Sequence, residues 1–355
     1  FQQAIVFDPT DPDIYFDENG DPINLGGLGT DDRIVGHAGV DGLFGFGGHD
    51  TLAGLGEGDT LDGGSGLDTA DYSASGEAVV VASDGAFAIG GDADGDVLTD
   101  IENLLGSAFA DFLRGDGQAN VLTGGAGADY IQGRGGDDTL NGGENDDLLE
   151  PGAGADTVDG GAGQDLLSAL DAAGPVTINL GNVALSSAGY ADKTLISIEG
   201  VLGVAGFGNT LVGSGGEDLL IGGDVADSIA GAGGADILLG LGGADTISGG
   251  AGDDLILGLE GDDMLTGDAG RDLFLFEPGD GADVVTDFEL PVGGSGFEDR
   301  LFFSGLGLTF ADLDIAEVGG DVVIGYGTNP AAFDGSVTVE GVTLADLVPG
   351  GAQPD

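Results

Sequence analysis

The stretch 214–276 reads in nines as SGGEDLLIG, GDVADSIAG, AGGADILLG, LGGADTISG, GAGDDLILG, LEGDDMLTG, DAGRDLFLF. An acid stands at Asp218, Asp227, Asp236, Asp245, Asp254, Asp263 and Asp272, and Asn209 takes the same place one step earlier. Two residues after each comes an aliphatic side chain or Phe: Leu211, Leu220, Ile229, Leu238, Ile247, Ile256, Leu265 and Phe274. Glycines fill most of the four or five places before each acid. A fixed internal period takes precedence over other sequence signals. Glycine reaches φ > 0, so the chain can turn tightly with its carbonyls pointing inward. The residues around each aliphatic suit a very short strand. Each nonapeptide therefore reads as one turn plus one strand. Two of them make a circuit, so residues 18 apart stack. Asp218, Asp236, Asp254 and Asp272 then line one edge, and Asn209, Asp227, Asp245 and Asp263 the other.

Such a stack cannot stand on its own apolar centre. Each unit buries about one aliphatic side chain, while every ordered backbone, glycine above all, costs conformational entropy. Carboxylates stacked about 4 Å apart add a repulsion of roughly 4 kcal/mol per pair at a near-surface effective dielectric. Cohesion requires a cation between them. The available ligands are Asp oxygens and carbonyls, with no Cys and two His in the chain. Oxygen-only ligation selects a hard ion, calcium before magnesium, which demands a stricter octahedron and keeps its waters.

GGAGADYIQ (124–132) and GGAGQDLLS (161–169) fit the pattern GGxGxDxUx in full. On these motifs, about twenty of them in register, the chain resembles the RTX (repeats-in-toxin, haemolysin-type) nonapeptide family. The resemblance implies an all-β fold, a parallel β-roll or β-helix-like solenoid, with calcium in its turns. In that family each ion takes one Asp and the carbonyls two and four residues before it. From the turn 18 residues on, it takes the Asp and the carbonyls three and five before. One such site here would be Asp236, Gly234 and Ala232 with Asp254, Ala251 and Gly249. The same rule names Gly125, Gly127, Gly142, Gly216, Gly231, Gly233, Gly250, Gly252, Gly267 and Ala269 as carbonyl ligands. Counting pairs gives up to about 14 calcium ions, enough to neutralise about half of the net charge of −59.

Composition sets further bounds. Glycine is 77 of 355 residues, and 65 acids face six bases. That charge would fit a disordered chain, but the acids are periodic. It argues against nucleic acid, which needs a basic face, and against binding to anionic membranes by charge. With no cysteine there is no disulfide framework, and calcium can take that role outside the cell. No apolar run is long enough to span a membrane. Phe1 in place of an initiator Met implies a processed or partial product, and no signal peptide is visible at this end.

In chain order, 1–25 holds strand-like runs Ala4–Phe7 and Ile14–Phe16 between Asp-Pro turns. They read as a cap on the first coil, with pairing to another chain as the alternative. The first repeat block spans 26–69, with Asp32, Asp41, Asp50, Asp59 and Asp68. His37 and His49 lie in its turns. With no third ligand spaced to join them, they read as solvent-facing turn residues rather than a transition-metal pair. Residues 70–105 break the period. The second block, 106–167, carries Asp111, Asn120, Asp129, Asp138, Asp147, Asp156 and Asp165, and 168–202 breaks it again. The breaks are copies at an offset of 97: Asp68 maps to Asp165, Val79 to Val176, and Ile101-Glu102 to Ile198-Glu199. Each reads as a flap that covers an edge or bridges two rolls. The third block spans 203–274. The tail, 275–355, is a β-rich cap with strands expected at Leu273–Glu277, Asp283–Glu289, Arg300–Ser304, Asp321–Tyr326 and Val337–Val342. It resembles the C-terminal segment of type I-secreted proteins.

Catalytic motifs are missing. There is no HExxH or GxSxG. The only lysine, Lys193, follows Asp192, so there is no P-loop. The Gly-x-Gly patterns arise from the nines. A glycosidase-type acid pair lacks an aromatic-rich groove. The expectation is a non-enzymatic structural protein of a bacterial surface or matrix, exported by type I secretion and folding on extracellular calcium. Self-association or a cell-surface partner would build it into a layer, fibre, matrix or adhesin. The alternative is the secretion and stability region of a larger secreted protease, lipase or epimerase.

Overall fold

The computed structural model describes residues 29–181, 193–290, 299–304, 313–326 and 335–343, and the backbone of 6–8, 11–16 and 25–26. Residues 4–5 of the first expected strand and the end of the tail from 344 lie outside these. Among the described residues there are only strands, turns and one 3-10 turn at Gly91–Ala93. No helix among them is long and apolar enough to cross a membrane.

Strands of two to six residues alternate with glycine turns, and in the repeats they pair in parallel with the strand one circuit on. Ile229 stands over Ile247 and Ile247 over Leu265. Across the circuit, Leu220, Leu238, Ile256 and Phe274 stack in turn. The spacing of 18 read from the sequence is the register of the sheets. In each short strand the central aliphatic points inward. Leu220, Leu238, Ile247, Ile256, Leu265 and Phe274 are fully buried, and their neighbours are half-buried or exposed. The core is thus a single file of aliphatic side chains on each side of the circuit.

The chain divides into two compact units, Phe1–Asp171 with Asp192–Ile198, and Ala172–Ala191 with Glu199–Asp355. The boundary falls inside the second break of the period, 168–202. In the first unit one sheet runs from Arg33–Val35 through Thr51–Ala53, Thr69–Asp71, Asn103–Leu105, Val121–Ala126, Thr139–Glu144 and Thr157–Ala162 to Thr194–Ile196. Leu25–Gly26, Gly42–Phe44, Thr60–Asp62 and Val97–Thr99 form a second sheet. A third series runs from Val80–Ala82 through Phe112–Arg114, Tyr130–Gln132 and Leu148–Glu150 to Leu166–Ser168. The backbone of Asp11–Phe16 pairs antiparallel with Val6–Asp8 and runs beside Arg33–Val35.

The breaks of the period also form strands. Their strands enter the same sheets as the repeats. Val97–Thr99 pairs back onto Thr60–Asp62, while Val80–Ala82 pairs forward with Phe112–Arg114. The second break repeats this: Thr194–Ile196 pairs with Thr157–Asp159, and Thr177–Asn179 with Thr210–Val212. The offset of 97 is therefore a structural duplication. Its apolar residues explain why: Val79, Val81, Val176 and Ile178 are buried in line with the aliphatic file.

In the second unit one sheet comprises Gly200–Leu202, Leu219–Gly223, Ile237–Gly242, Leu255–Glu260, Leu273–Phe276 and Arg300–Phe303. The other runs from Thr177–Asn179 through Thr210–Val212, Ser228–Gly233, Thr246–Ala251, Met264–Ala269 and Gly281–Val285 to Gly335–Val339. Gly335–Val339 then pairs antiparallel with Asp321–Tyr326, and that strand with Asp314–Val318. Here the aliphatic file gives way to packed rings. Phe276, Phe303 and Tyr326 have centroids 5.0–6.0 Å apart and close the last coil.

Candidate metal centre

Each acid of the nines sits in the last position of a turn, just before a strand. Its side chain reaches back to the preceding coil. All twenty acids and asparagines named from the sequence lie on vertical ladders. Along each ladder, backbone N–H groups donate to the side-chain oxygen of the counterpart one coil on. Asp218 donates to Asp236, Asp236 to Asp254 and Asp254 to Asp272, each at 2.9 Å. Asn209, Asp227, Asp245 and Asp263 form the parallel ladder, at 2.5–2.8 Å. In the first unit Asp111, Asp129, Asp147 and Asp165 make a third, and Asn120, Asp138 and Asp156 a fourth. Asp32, Asp50 and Asp68 make a fifth, and Asp41 and Asp59 a sixth.

Four ladders extend to residues that spacing did not reveal. Asp59 N–H donates to Asp96, Asp68 to Glu102, Asp263 to Asp283 and Asp272 to Asp299, at 2.8–3.1 Å. Their separations of 37, 34, 20 and 27 residues break the count of 18. The signal that finds three of them is local: Asp96, Glu102 and Asp299 immediately precede strands, while Asp283 lies within Gly281–Val285.

The ladder uses one oxygen of each carboxylate. The other, Oδ2, has no hydrogen-bond partner and is buried in Asp50, Asp59, Asp68, Asp129, Asp138, Asp147, Asp227, Asp236, Asp245, Asp254, Asp263 and Asp272. A buried, unpaired carboxylate oxygen is a costly group in protein interiors. Burial, followed by the charge of neighbouring acids, pushes Asp129, Asp245 and Asp272 up to about 7, and Asp254 to about 6. Without a positive charge these carboxyls hold their protons well above the ordinary carboxylate range.

The turn shapes a place for that charge. In the Asp236–Asp254 coil, Ala232 has φ +77° and Gly234 φ +128°. Gly231 leaves a space facing two oxygens at once: a Cβ there would stand 2.2 Å from Asp236 Oδ2 and 2.4 Å from the Gly249 carbonyl oxygen. Gly142 and Gly249 repeat this toward Asp147 with Gly160 and Asp254 with Gly267. Gly267 leaves the same room beside Asp272, and Gly125, Gly127, Gly250 and Gly252 all have positive φ. A Cβ at Gly233 would stand 3.6 Å from the Ala251 carbonyl oxygen, while Gly216 and Ala269 are exposed. No group of three His, Asp or Glu side chains converges among the described residues. A two-carboxylate, four-carbonyl site would not contain one. Unpaired hard oxygens in a carbonyl-lined turn fit calcium.

Not every named residue is open in this way. Asp41 Oδ2 accepts from the His37 N–H at 2.6 Å and faces its Nδ1 at 3.1 Å. His37 is thus half-buried against Asp41 rather than solvent-facing, whereas His49 is exposed. Asp111 and Asp218 accept the N–H of Ser107 and Ser214 from their own turns, and Asn120 that of Asp116. Asn209 donates to the Val204 carbonyl. These residues open the repeat blocks, where the turn closes on its own side chain.

Comparison with known proteins places this geometry. The sequence pattern of the RTX calcium-binding nonapeptide repeat (four copies) matches 26–61, 44–73, 99–131, 114–149, 132–167, 205–238 and 239–274, together more than half of the chain. No curated protein sequence matches. Among solved structures, the extracellular lipase LipA from Serratia marcescens is similar at 22% identity and a TM-score of 0.29. The match covers 69% of this chain and 38% of the lipase. The fold stands on its own strand register, with no weight on that likeness.

Proposed function

Because the chain belongs to the RTX calcium-binding nonapeptide repeat family and so binds calcium, we propose that it is a secreted, non-enzymatic structural protein that folds when it meets extracellular calcium. One observation carries this reading: the rows of buried Oδ2 atoms without a partner in successive coils. Asp and turn carbonyls from adjacent coils would hold calcium, whose charge would offset the buried carboxylates. The chain's own residues do the rest. The N–H ladder fixes each carboxylate, the glycines leave room, and the aliphatic file excludes water.

Extracellular calcium modules have dissociation constants of about 10⁻⁴–10⁻³ M. At about 1 mM calcium a 0.1 mM site adds roughly 1.4 kcal/mol, and at submicromolar calcium almost nothing. About fourteen such sites, the number the spacing gives, would make folding depend on which side of the membrane the chain occupies. Export by a type I route, unfolded, followed by locking outside the cell, fits that switch. The chain's repeats then serve a surface layer, fibre, matrix or adhesin, with open strand edges available for self-association.

Far-UV circular dichroism tests the switch. Coil in chelator and β-structure in millimolar calcium are expected, and β-structure that persists in chelator sinks it. Sedimentation with and without calcium tests the assembly role. Particles larger than one chain are expected in calcium, and a single-chain species under all conditions refutes self-assembly.

A further inference from the structure

The ladder of Asn120, Asp138 and Asp156 ends differently from the rest. Strand Thr194–Ile196 pairs with Thr157–Asp159 in the ordinary register, and Thr194 N–H donates to the Asp156 carbonyl at 2.8 Å. The residue before that strand, where the other coils carry an acid, is Lys193. Its side chain is buried, and it points down into the turn below. Nζ donates to the Gly152 carbonyl at 2.6 Å, to the Gly154 carbonyl at 3.3 Å and to Asp156 Oδ2. These are the Asp and the carbonyls two and four residues before it, the half-set expected to hold calcium in the other turns. Asp156 Oδ2 is accordingly absent from the row of unpaired oxygens.

The internal duplication supplies the control. Ninety-seven residues earlier, the position of Lys193 is Asp96. Val97 pairs with Thr60 as Thr194 pairs with Thr157. There the acid is kept: Asp59 N–H donates to Asp96 Oδ1 at 2.8 Å, and Asp59 Oδ2 stays unpaired. The same coil thus occurs once with an acid and an unpaired oxygen, and once with a base and a paired one.

We propose that Lys193 is a tethered cation that fills the calcium slot of the Asp156 turn, so that this turn needs no calcium ion of its own. The proposal rests on the calcium reading of the other turns. A lysine cannot accept the ladder hydrogen bond, but its ammonium supplies three donors to three oxygens. It is a fixed charge where the other coils must recruit one.

Calcium binding to the full chain, by isothermal titration with calcium alone, decides the matter. Lys193→Asp installs the residue of the internal copy and is expected to raise the number of bound ions by one. An unchanged number, beside a wild-type chain that binds calcium, overturns the slot assignment and leaves the calcium reading intact. A wild-type chain that binds none overturns both. If Lys193→Asp does not fold, reductive methylation answers in the wild type, since Lys193 is the only lysine. In calcium its amine is expected to react about tenfold or more slowly than in denaturant, as for a group reached only through opening. Equal rates overturn the proposal.

Discussion

At the scale of the residue, each turn is a compromise between a buried charge and the room left beside it. Burial, then the charges of Asp263 and Asp227, pushes Asp245 up to about 7. Asp245→Asn should therefore have opposite effects in the two states. In chelator it removes a buried charge and favours folding. In about 1 mM calcium it forfeits roughly the 1.4 kcal/mol that one 0.1 mM site supplies. Calcium titrations followed by circular dichroism read both signs, and destabilisation in both conditions would contradict this account. Gly231→Ala puts a Cβ 2.2 Å from Asp236 Oδ2. It should raise the calcium midpoint and cost about 1–3 kcal/mol of loaded stability, as overpacking does. An unshifted midpoint would mean that the space beside Asp236 is not used.

At the scale of the element, a short strand has one apolar anchor, as Ile247 is in Thr246–Ala251. Ile247→Ala should cost about 2–5 kcal/mol in the calcium-loaded chain by thermal melting, while exposed Thr246 in the same strand should tolerate exchange within about 0.5 kcal/mol. A similar cost at both positions would show that the aliphatic file is not what holds the coil. The register was legible because the period of the acids and aliphatics is the circuit itself, as Ile229, Ile247 and Leu265 show. What was not legible is pairing that leaves the period. Val79–Val81 reads as a strand, but nothing local says that Val80–Ala82 pairs with Phe112–Arg114. Asp96, Glu102, Asp283 and Asp299 escaped because loops of varied length precede them. Asp41 and Asp218 looked like any other acid, since hydrogen bonds from His37 and Ser214 within the turn leave no mark on spacing.

At the scale of the whole molecule, a net charge of −59 ties stability to both calcium and protons. The acids with raised values run from about 6 at Asp254 and Asp263 to about 7 at Asp59 and Asp272, against an ordinary 3.8. A raised folded value favours the fold fully below about pH 4 and loses that contribution as pH rises through 6–7. The calcium-free chain should therefore gain β-structure on acidification from pH 8 to 4. Calcium needs the deprotonated form, so the loaded chain should release ions below about pH 6. Circular dichroism against pH, with chelator and with calcium, checks both, and parallel curves would refute the linkage. The duplicated backtracking of the strands has a mechanical consequence. Stretched between its termini, the regular repeat should pay out one 18-residue coil at a time, about 60 Å of contour each. Where Val97–Thr99 reaches back to Thr60–Asp62, and again where Thr194–Ile196 reaches back to Thr157–Asp159, the thread is knitted across 37 residues. At these two stitches an optical trap should register jumps of roughly twice that length.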